Sequence, residues 1–332
     1  MIWESGFSAT YKVYQVDPVT WEDRDEIPVV DGSITRDIED SIADTASLSV
    51  TEPIGETWVR VYLIAEQDGG SVRVPLFTGL TSSPTRTLTG ERVTYSVDCY
   101  GRLKLAADKL VPLGYYVAAG ARGAESIADL LGMVGIRAEV SAASSVVVDY
   151  IIAESGETIL TMSQKIASAI GWLIRIDGRG DVSIMPPSDE IRATFSNNHD
   201  VLELSVTDTD DWYECPNVLR VTSGSQAVTV YDDDPASPLS VQARGREIWA
   251  EESVQIADKS ELPVYARSRL QEKQRHVRVV SYTRRFDPDV FPGDLVGISY
   301  PQAGLTGVIR VKNQTISLTY GARTDEEAYF EA

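Results

Sequence analysis

The sequence predicts a mainly β protein with an α+β piece in its middle. Apolar and polar residues alternate over residues 1–103. An i, i+3, i+4, i+7 spacing replaces the alternation after about residue 104, and alternation returns from about residue 200. The chain has 332 residues, 43% of them apolar, which suits a folded protein of two or three domains rather than a disordered one.

In the first region Tyr11 to Val16 reads as a strand that Asp17-Pro18 breaks. Ala46, Leu48 and Val50 alternate with Ser47, Ser49 and Thr51, giving a strand with one wet face. Trp58 to Ala65 is more apolar on both faces, and Asp68-Gly-Gly70 supplies the positive φ angles of a hairpin turn. Val93, Tyr95, Val97 and Cys99 share one face of the next strand. Several short strands with turns between them predict a small barrel or sandwich.

In the middle, Ile127, Leu130, Leu131 and Val134 form a helical stripe that Gly135 ends. Ser155-Gly-Glu157 is the expected start of a second helix, whose stripe is Ile159, Met162, Ile166 and Ile170 and whose stop is Gly171. A hairpin follows from Trp172 to Met185, and Pro186-Pro187 closes the unit.

The last region opens with strands at Val201–Val206, Asn217–Thr222 and Gln226–Tyr231. One helix, from Ser260 as cap to about Arg275, interrupts them. Strands resume at Val277–Tyr282, Asp294–Tyr300, Gly307–Val311 and Thr315–Tyr320. The run from Asp294 to Tyr320 echoes the run from Trp58 to Val97: strand, turn, glycine-containing strand, loop, strand. Duplication and the ordinary grammar of antiparallel sheets both account for that echo.

The chain offers little for catalysis. Its only histidines are His199 and His276, neither beside a cluster with metal-ligand spacing, and no phosphate-binding or nucleophile-elbow motif is present. No catalytic, cofactor-binding or metal-binding residue is therefore assigned. Asp232-Asp-Asp234 lacks the spaced ligands and closing Glu of a calcium loop. Arg179-Gly-Asp181 reads as a turn between strands. Asp208, Asp210, Asp211 and Glu214 offer paired carboxylates, but the chain is rich in them and a polar strand end explains these. Cys99 and Cys215 read as buried thiols, with a disulfide as the alternative. The N-terminus has no basic and apolar leader pattern, and no apolar run approaches a membrane span.

Thirty Lys and Arg against fifty Asp and Glu give a net charge of −20, which excludes a protein that grips DNA or an anionic membrane. The charge is −9 over residues 1–103, −3 over 104–199 and −8 over 200–332. Against this background Arg267, Arg269, Lys273, Arg275, Arg278, Arg284 and Arg285 form a basic stretch. It is a candidate interface for an acidic neighbour, including another copy of the chain; a solvated helix end completing its dipole is the alternative.

A set of short motifs then falls into a recognisable order. It runs through Val30-Asp-Gly-Ser-Ile-Thr-Arg-Asp37, Ala46-Ser-Leu-Ser-Val50, Trp58-Val-Arg-Val-Tyr62, Phe77-Thr-Gly79 and Val97-Asp-Cys-Tyr-Gly-Arg-Leu103. It continues through Ile166-Ala-Ser-Ala-Ile-Gly-Trp172, Phe286-Asp-Pro-Asp-Val-Phe-Pro-Gly-Asp-Leu-Val296 and Gln314-Thr-Ile-Ser-Leu318. The order resembles the tail-tip and baseplate hub proteins of phages and contractile injection systems. Each motif is weak alone; the set covers nearly the whole chain.

The resemblance implies two antiparallel β-barrel domains, at 1–103 and 200–332, separated by a small α+β domain at 104–199, with a helical insertion near 258–276. It implies a homotrimer whose barrels form a pseudo-sixfold ring, adapting a hexameric tail tube to a trimeric tip and letting DNA pass. The implied partners are the tail tube or distal tail ring protein, the tape measure protein and a tip or spike protein, with no stable membrane anchoring. The implied place is the virion, at the phage tail tip or baseplate, after synthesis in the host cytoplasm. Many hubs continue into a further domain; with the sequence ending at Ala332, the expectation is that any spike or wall-degrading enzyme is a separate chain. A non-enzymatic, cofactor-free scaffold is the expectation. A tail-associated cell-wall hydrolase or peptidase and a carbohydrate-binding adhesin are the competing readings. The acidity reads as a channel wall that repels phosphates.

Overall fold

The computed structural model describes the chain apart from Glu4, Ser41, Glu91, Val146, Val148, Asp149, residues 197–201, Asp211, residues 255–259, Glu261, His276, Val277, Tyr320 and Ala332, and the side chains of Arg92, Leu204, Glu272 and Arg275. Both histidines therefore lie outside the described residues.

The first region contributes β1 (Ser8–Val16), β2 (Asp23–Ile27), β3 (Val29–Asp37), β4 (Asp44–Val50), β5 (Trp58–Gln67), β6 (Gly70–Thr81), β7 (Thr85–Thr89) and β8 (Arg92–Gly101). The middle holds α1 (Lys104–Ala107), β9 (Tyr116–Val117), α2 (Gly123–Gly132), β10 (Ala138–Val140), β11 (Ile151–Ile152), α3 (Ile159–Ile170), β12 (Leu173–Ile176), β13 (Val182–Met185) and β14 (Ile191–Ser196). The last region holds β15 (Leu202–Asp210), β16 (Val218–Ser223), β17 (Gln226–Tyr231), α4 (Val241–Arg244), β18 (Trp249–Ser253), α5 (Leu262–Arg275), β19 (Arg278–Arg285), β20 (Leu295–Tyr300), β21 (Leu305–Ser317) and β22 (Arg323–Glu331).

The mainly β class holds, but the two β regions are not separate sheets. Fourteen strands form one sheet along the path β15-β19-β22-β21-β3-β4-β8-β6-β5-β1-β2, with β14, β20 and β7 branching from it. The join is the antiparallel pairing of β21 with β3, Asn313 opposite Asp37 through Ser317 opposite Ser33. Among the described residues the pairing does not close into a barrel.

The sheet backs two separate cores, and the first also takes in Phe286, Ile316 and Leu318 from the last region. The first packs Val13, Ile34, Leu48, Val61, Leu63, Phe77 and Val97. The second packs Phe195, Val280, Val296, Ile298, Ile309 and Val311. The alternation in β4 is the simplest case: every second residue from Asp44 to Val50 is buried, so one face meets the core and the other meets water.

β14, which the sequence division leaves in the middle piece, pairs in parallel with β20 and belongs to the large sheet. The run Gly307–Val311 and the first residues of the run Thr315–Tyr320, expected as two strands, lie in the single strand β21, which ends at Ser317; Tyr320 lies outside the described residues. A bulge between Val311 and Asn313 mimics a loop in the sequence. The last strand of the echo is thus β22. In pairing terms, the β5–β6 hairpin matches β20–β21, and β6 with β7 run along β8 as β21 runs along β22.

The middle unit buries Ile127, Leu130 and Leu131 of α2 against Ile159, Met162 and Ile166 of α3. Burying each such side chain is worth about 1.5–3 kcal/mol. α3 starts later than expected: Thr158 caps it in a reciprocal pair with Thr161, and Gly171 in the left-handed conformation ends it. The Arg179-Gly-Asp181 turn docks on the first region. Thr78 Oγ1 donates to Gly178 O at 2.9 Å, and Trp21 Nε1 donates to Arg179 O at 3.2 Å.

Strands β15 and β19 pair directly, down to Asp210 opposite Arg278, so everything between them is an insertion. It is larger than a helix alone. β16, β17 and β18 form a separate three-stranded sheet, and α5 lays Leu262, Ala266 and Leu270 on Leu219, Val221 and Val230.

Candidate functional site

Because side chains alternate across a strand, the large sheet has a second face turned away from both cores. That face runs across eight antiparallel strands in the order β15-β19-β22-β21-β3-β4-β8-β7. Its side chains are nearly all hydroxyls, amides and carboxylates. Thr207 lies opposite Ser281, Thr283 opposite Asp325, and Asp325 opposite Thr315. Thr315 lies opposite Thr35, Thr35 opposite Thr45, Ser47 opposite Asp98, and Ser96 opposite Thr85.

Neighbouring groups hold one another. Thr283 Oγ1 donates to Asp325 Oδ1 at 2.5 Å, Asn313 Nδ2 donates to Glu327 Oε2 at 2.9 Å, and the Thr35 and Thr315 hydroxyls lie 3.4 Å apart. A shallow groove of about 460 Å³ over β15, β19, β22, β21 and β3 is lined by these residues with Glu203, Ser205 and Arg323. Among the described side chains the face carries Asp31, Asp37, Asp98, Glu203, Asp325, Glu327 and Glu331 against Arg285, Arg310 and Arg323. Arg323 is engaged by Asp325 at 3.1 Å and Glu203 at 3.5 Å, and the Asp325 hydrogen bond raises its pKa. Such a surface presents negative charge and hydrogen-bonding groups with little free cation, a poor seat for a phosphate backbone.

Beneath this face, at the seam between the halves, is a buried row of charged and polar groups. Arg284 on β19 makes two hydrogen bonds to Glu326 on β22, Nε to Oε2 at 2.9 Å and Nη2 to Oε1 at 2.6 Å. Gln314 on β21 donates to Glu326 Oε1 at 2.6 Å and to Val290 O at 2.9 Å. Arg36 on β3, across from Gln314, donates to Leu76 O at 2.6 Å and covers the Phe291 ring at 4.6 Å. Asp44 on β4 stands opposite Arg36. Burial lowers the Arg36 pKa to about 10 and raises that of Asp44 to about 8. Burial would lower Arg284 too, but the charge and hydrogen bonds of Glu326 outweigh it and hold Arg284 higher.

The basic stretch does not form one patch. Arg284 has no exposed side-chain surface and is corrected from interface residue to core residue: Glu326, 42 positions away in sequence, neutralises it inside the fold. Arg269 and Lys273 converge on Glu252, at 3.2 and 2.8 Å. Arg278 grips Asp208 at 2.6 Å and lies over Phe330, and this pairing lowers the Asp208 pKa. Arg267 is exposed on α5, Arg285 is half-buried on β19, and the Arg275 side chain lies outside the described residues.

Asp232 accepts hydrogen bonds from Ser237 and Gln274 and so braces its loop. Among the described residues no group of three or more His, Cys, Asp or Glu could hold a metal ion, and no helix is long and apolar enough to cross a membrane. Cys99 and Cys215 are both buried and unbonded to each other. Sequence reasoning missed the hydroxyl face as a unit. Its signal was present in the alternating Thr85, Thr87 and Thr89 and in Ser47 and Ser49, but strand order decides which runs lie side by side.

No protein-family model matches the sequence, and no curated protein does either. Solved structures do match. The 43 kDa tail protein of prophage MuSo2 from Shewanella oneidensis superposes with a TM-score of 0.70 at 14% identity, over 97% of this chain and 98% of that one. The tail protein from Neisseria meningitidis MC58 gives 0.72 at 14% identity, over 97% and 96%. The prophage tail protein gp18 from Listeria monocytogenes EGD-e gives 0.54 at 10% identity, over 96% and 94%. At such identities the likeness is one of fold, and along nearly its whole length this chain has the fold of phage and prophage tail proteins.

Proposed function

We propose that the chain is a non-enzymatic structural component of a phage tail, a hub. In this reading its copies assemble as a trimeric ring with the hydroxyl and carboxylate face turned to a central bore that lets DNA pass. The observation that carries the proposal is the continuity of that face across both halves of the sheet through the β21–β3 join. A wall in which carboxylates outnumber cations and small hydroxyls fill the rest repels phosphates.

The two separate cores, the first shared with Phe286, Ile316 and Leu318 of the last region, support reading two barrel-like domains around an α+β domain, near the divisions 1–103, 104–199 and 200–332 with β14 assigned to the last. A tail-tip location and contacts with a tail tube or distal tail ring protein, a tape measure protein and a spike belong to the same proposal.

The test is a triple substitution on the face, Asp37→Lys, Asp325→Lys and Glu327→Lys, in the phage that carries the chain. Assembled tails with delayed or lost DNA delivery are expected, and wild-type delivery from assembled tails would overturn the bore assignment. Zymography on cell walls tests the hydrolase reading.

A second reading has one observation in its favour. Trp212, Tyr213, Tyr231 and Trp249 of the insertion are all exposed, as sugar-stacking rings need to be. Binding on a glycan array, lost on Trp249→Ala, would establish an adhesin.

A further inference from the structure

We propose that the cleft between the middle unit and the seam of the large sheet binds a small apolar carboxylate, an aryl or medium-chain fatty acid. The proposal is independent of the ring described above.

The cleft holds about 350 Å³, a volume within the range of small-molecule sites. Three separate pieces of chain form it: the turn between β3 and β4, one side of α3 with β12, and Phe291-Pro292 between β19 and β20. Leu103, Leu160, Ala167, Trp172 and Leu173 make its walls apolar. The exposed Asp40 and Ser168 mark its opening.

Two guanidinium groups that line the cleft lie against one ring. Arg36 is 4.6 Å from the Phe291 centroid and Arg175 is 5.5 Å from it. Arg36 is 5% exposed and forms no ion pair among the described residues. Its hydrogen bonds go to two neutral acceptors, Leu76 O at 2.6 Å and Gln314 Oε1 at 3.5 Å. Asp44 stands opposite it on β4, but Asp44 Oδ1 lies against Gly101 and accepts no hydrogen bond.

Arg175 donates through Nη2 to Asp294 Oδ1 at 2.5 Å, while its Nε is buried without a partner. The other Asp294 oxygen accepts from Phe291 N at 3.0 Å, so both oxygens of that carboxylate are committed. Burial above all, then the charges of Arg284 and Arg175, lower the Arg36 pKa to about 10 against the pull of Asp44 and Asp177. The two cations therefore repel each other in a place that water reaches poorly, and a buried charge without a partner is costly.

The acids of the β3–β4 turn do not supply that partner. Asp37 turns to the hydroxyl face, and its Oδ1 accepts from Glu39 N at 2.7 Å. Glu39 is held by Lys312 at 3.1 Å and by the Tyr329 hydroxyl. Asp40 is exposed, with Oδ1 accepting from Ile42 N at 3.2 Å. A carboxylate entering from outside would neutralise the repelling pair through charge-assisted hydrogen bonds. Its apolar body would lie along Leu160 and Trp172, out of water.

The experiment titrates the full chain with hydrocinnamate and, separately, with hydrocinnamyl alcohol, by isothermal calorimetry. The acid should bind roughly tenfold more tightly than the alcohol, because charge-assisted hydrogen bonds exceed neutral ones. Arg175→Met should remove that preference and keep the alcohol's affinity. Ala167→Phe fills the cleft and Ser168→Trp blocks its opening, and both leave the arginines in place. Each should abolish binding of both probes, which keeps the test open if Arg175→Met does not fold. An acid bound no more tightly than the alcohol, no binding of either at millimolar concentration, or unchanged binding in Ala167→Phe and Ser168→Trp overturns the proposal.

Discussion

Arg284 and Glu326 meet through two parallel hydrogen bonds with neither side chain exposed to solvent. Removing one partner strands a charge in the core. Arg284→Met should cost about 3–5 kcal/mol of stability in a urea titration. Arg284→Met with Glu326→Leu should recover most of that loss, because no charge is then left unpaired. Charge reversal at Arg284 would accordingly abolish assembly by unfolding the chain, so the basic stretch is better probed as an interface at the exposed Arg267.

Asp44 gives a pH dependence of opposite sign to an ordinary paired carboxylate. Burial lifts its pKa from 3.8 to about 8, so the folded chain holds a proton that the unfolded chain releases. Its contribution to stability is complete below the unfolded value and is lost as pH rises toward 8. The melting temperature should fall between pH 5 and pH 8.5, and Asp44→Asn should flatten that slope. An equal slope in both proteins would rule the assignment out.

Gly101 leaves room for the Asp44 carboxylate: a Cβ at this position would collide with Asp44 Oδ1. Gly101→Ala should destabilise by about 1–3 kcal/mol. Shortening the neighbour, in Gly101→Ala with Asp44→Ser, should restore much of the loss. Additive losses in chemical denaturation would show that the two residues do not compete for the space.

Thr158 and Thr161 cap α3 reciprocally. Thr158→Ala should lower stability by about 0.5–2 kcal/mol. Amide exchange should speed up first at the helix start, before the sheet is affected.

Strands with one wet face, such as β4, were legible because their alternation survives in the residue types. β22 was not, since its sequence Arg-Thr-Asp-Glu-Glu-Ala-Tyr-Phe-Glu hides a core position behind a charge: Glu326 faces inward because Arg284 is there to meet it. The same pair explains why Arg284 read as a surface cation, its partner lying in another strand. β21 read as two strands because its bulge falls at Lys312-Asn313, residues that also suit a loop. The candidate face was visible only as scattered serine and threonine alternation until the order of strands joined the pieces.

Asp210 and Arg278 stand opposite each other at the mouth of the insertion. The polypeptide therefore leaves the large sheet and returns at almost the same point, and the 67 residues between them form a cassette with its own hydrophobic centre. A cassette hung on a two-strand doorway can be trimmed to a tight turn, lengthened or exchanged without changing the register of any strand behind it. Its surface is free to follow whatever it meets outside, while the frame that carries it stays constant.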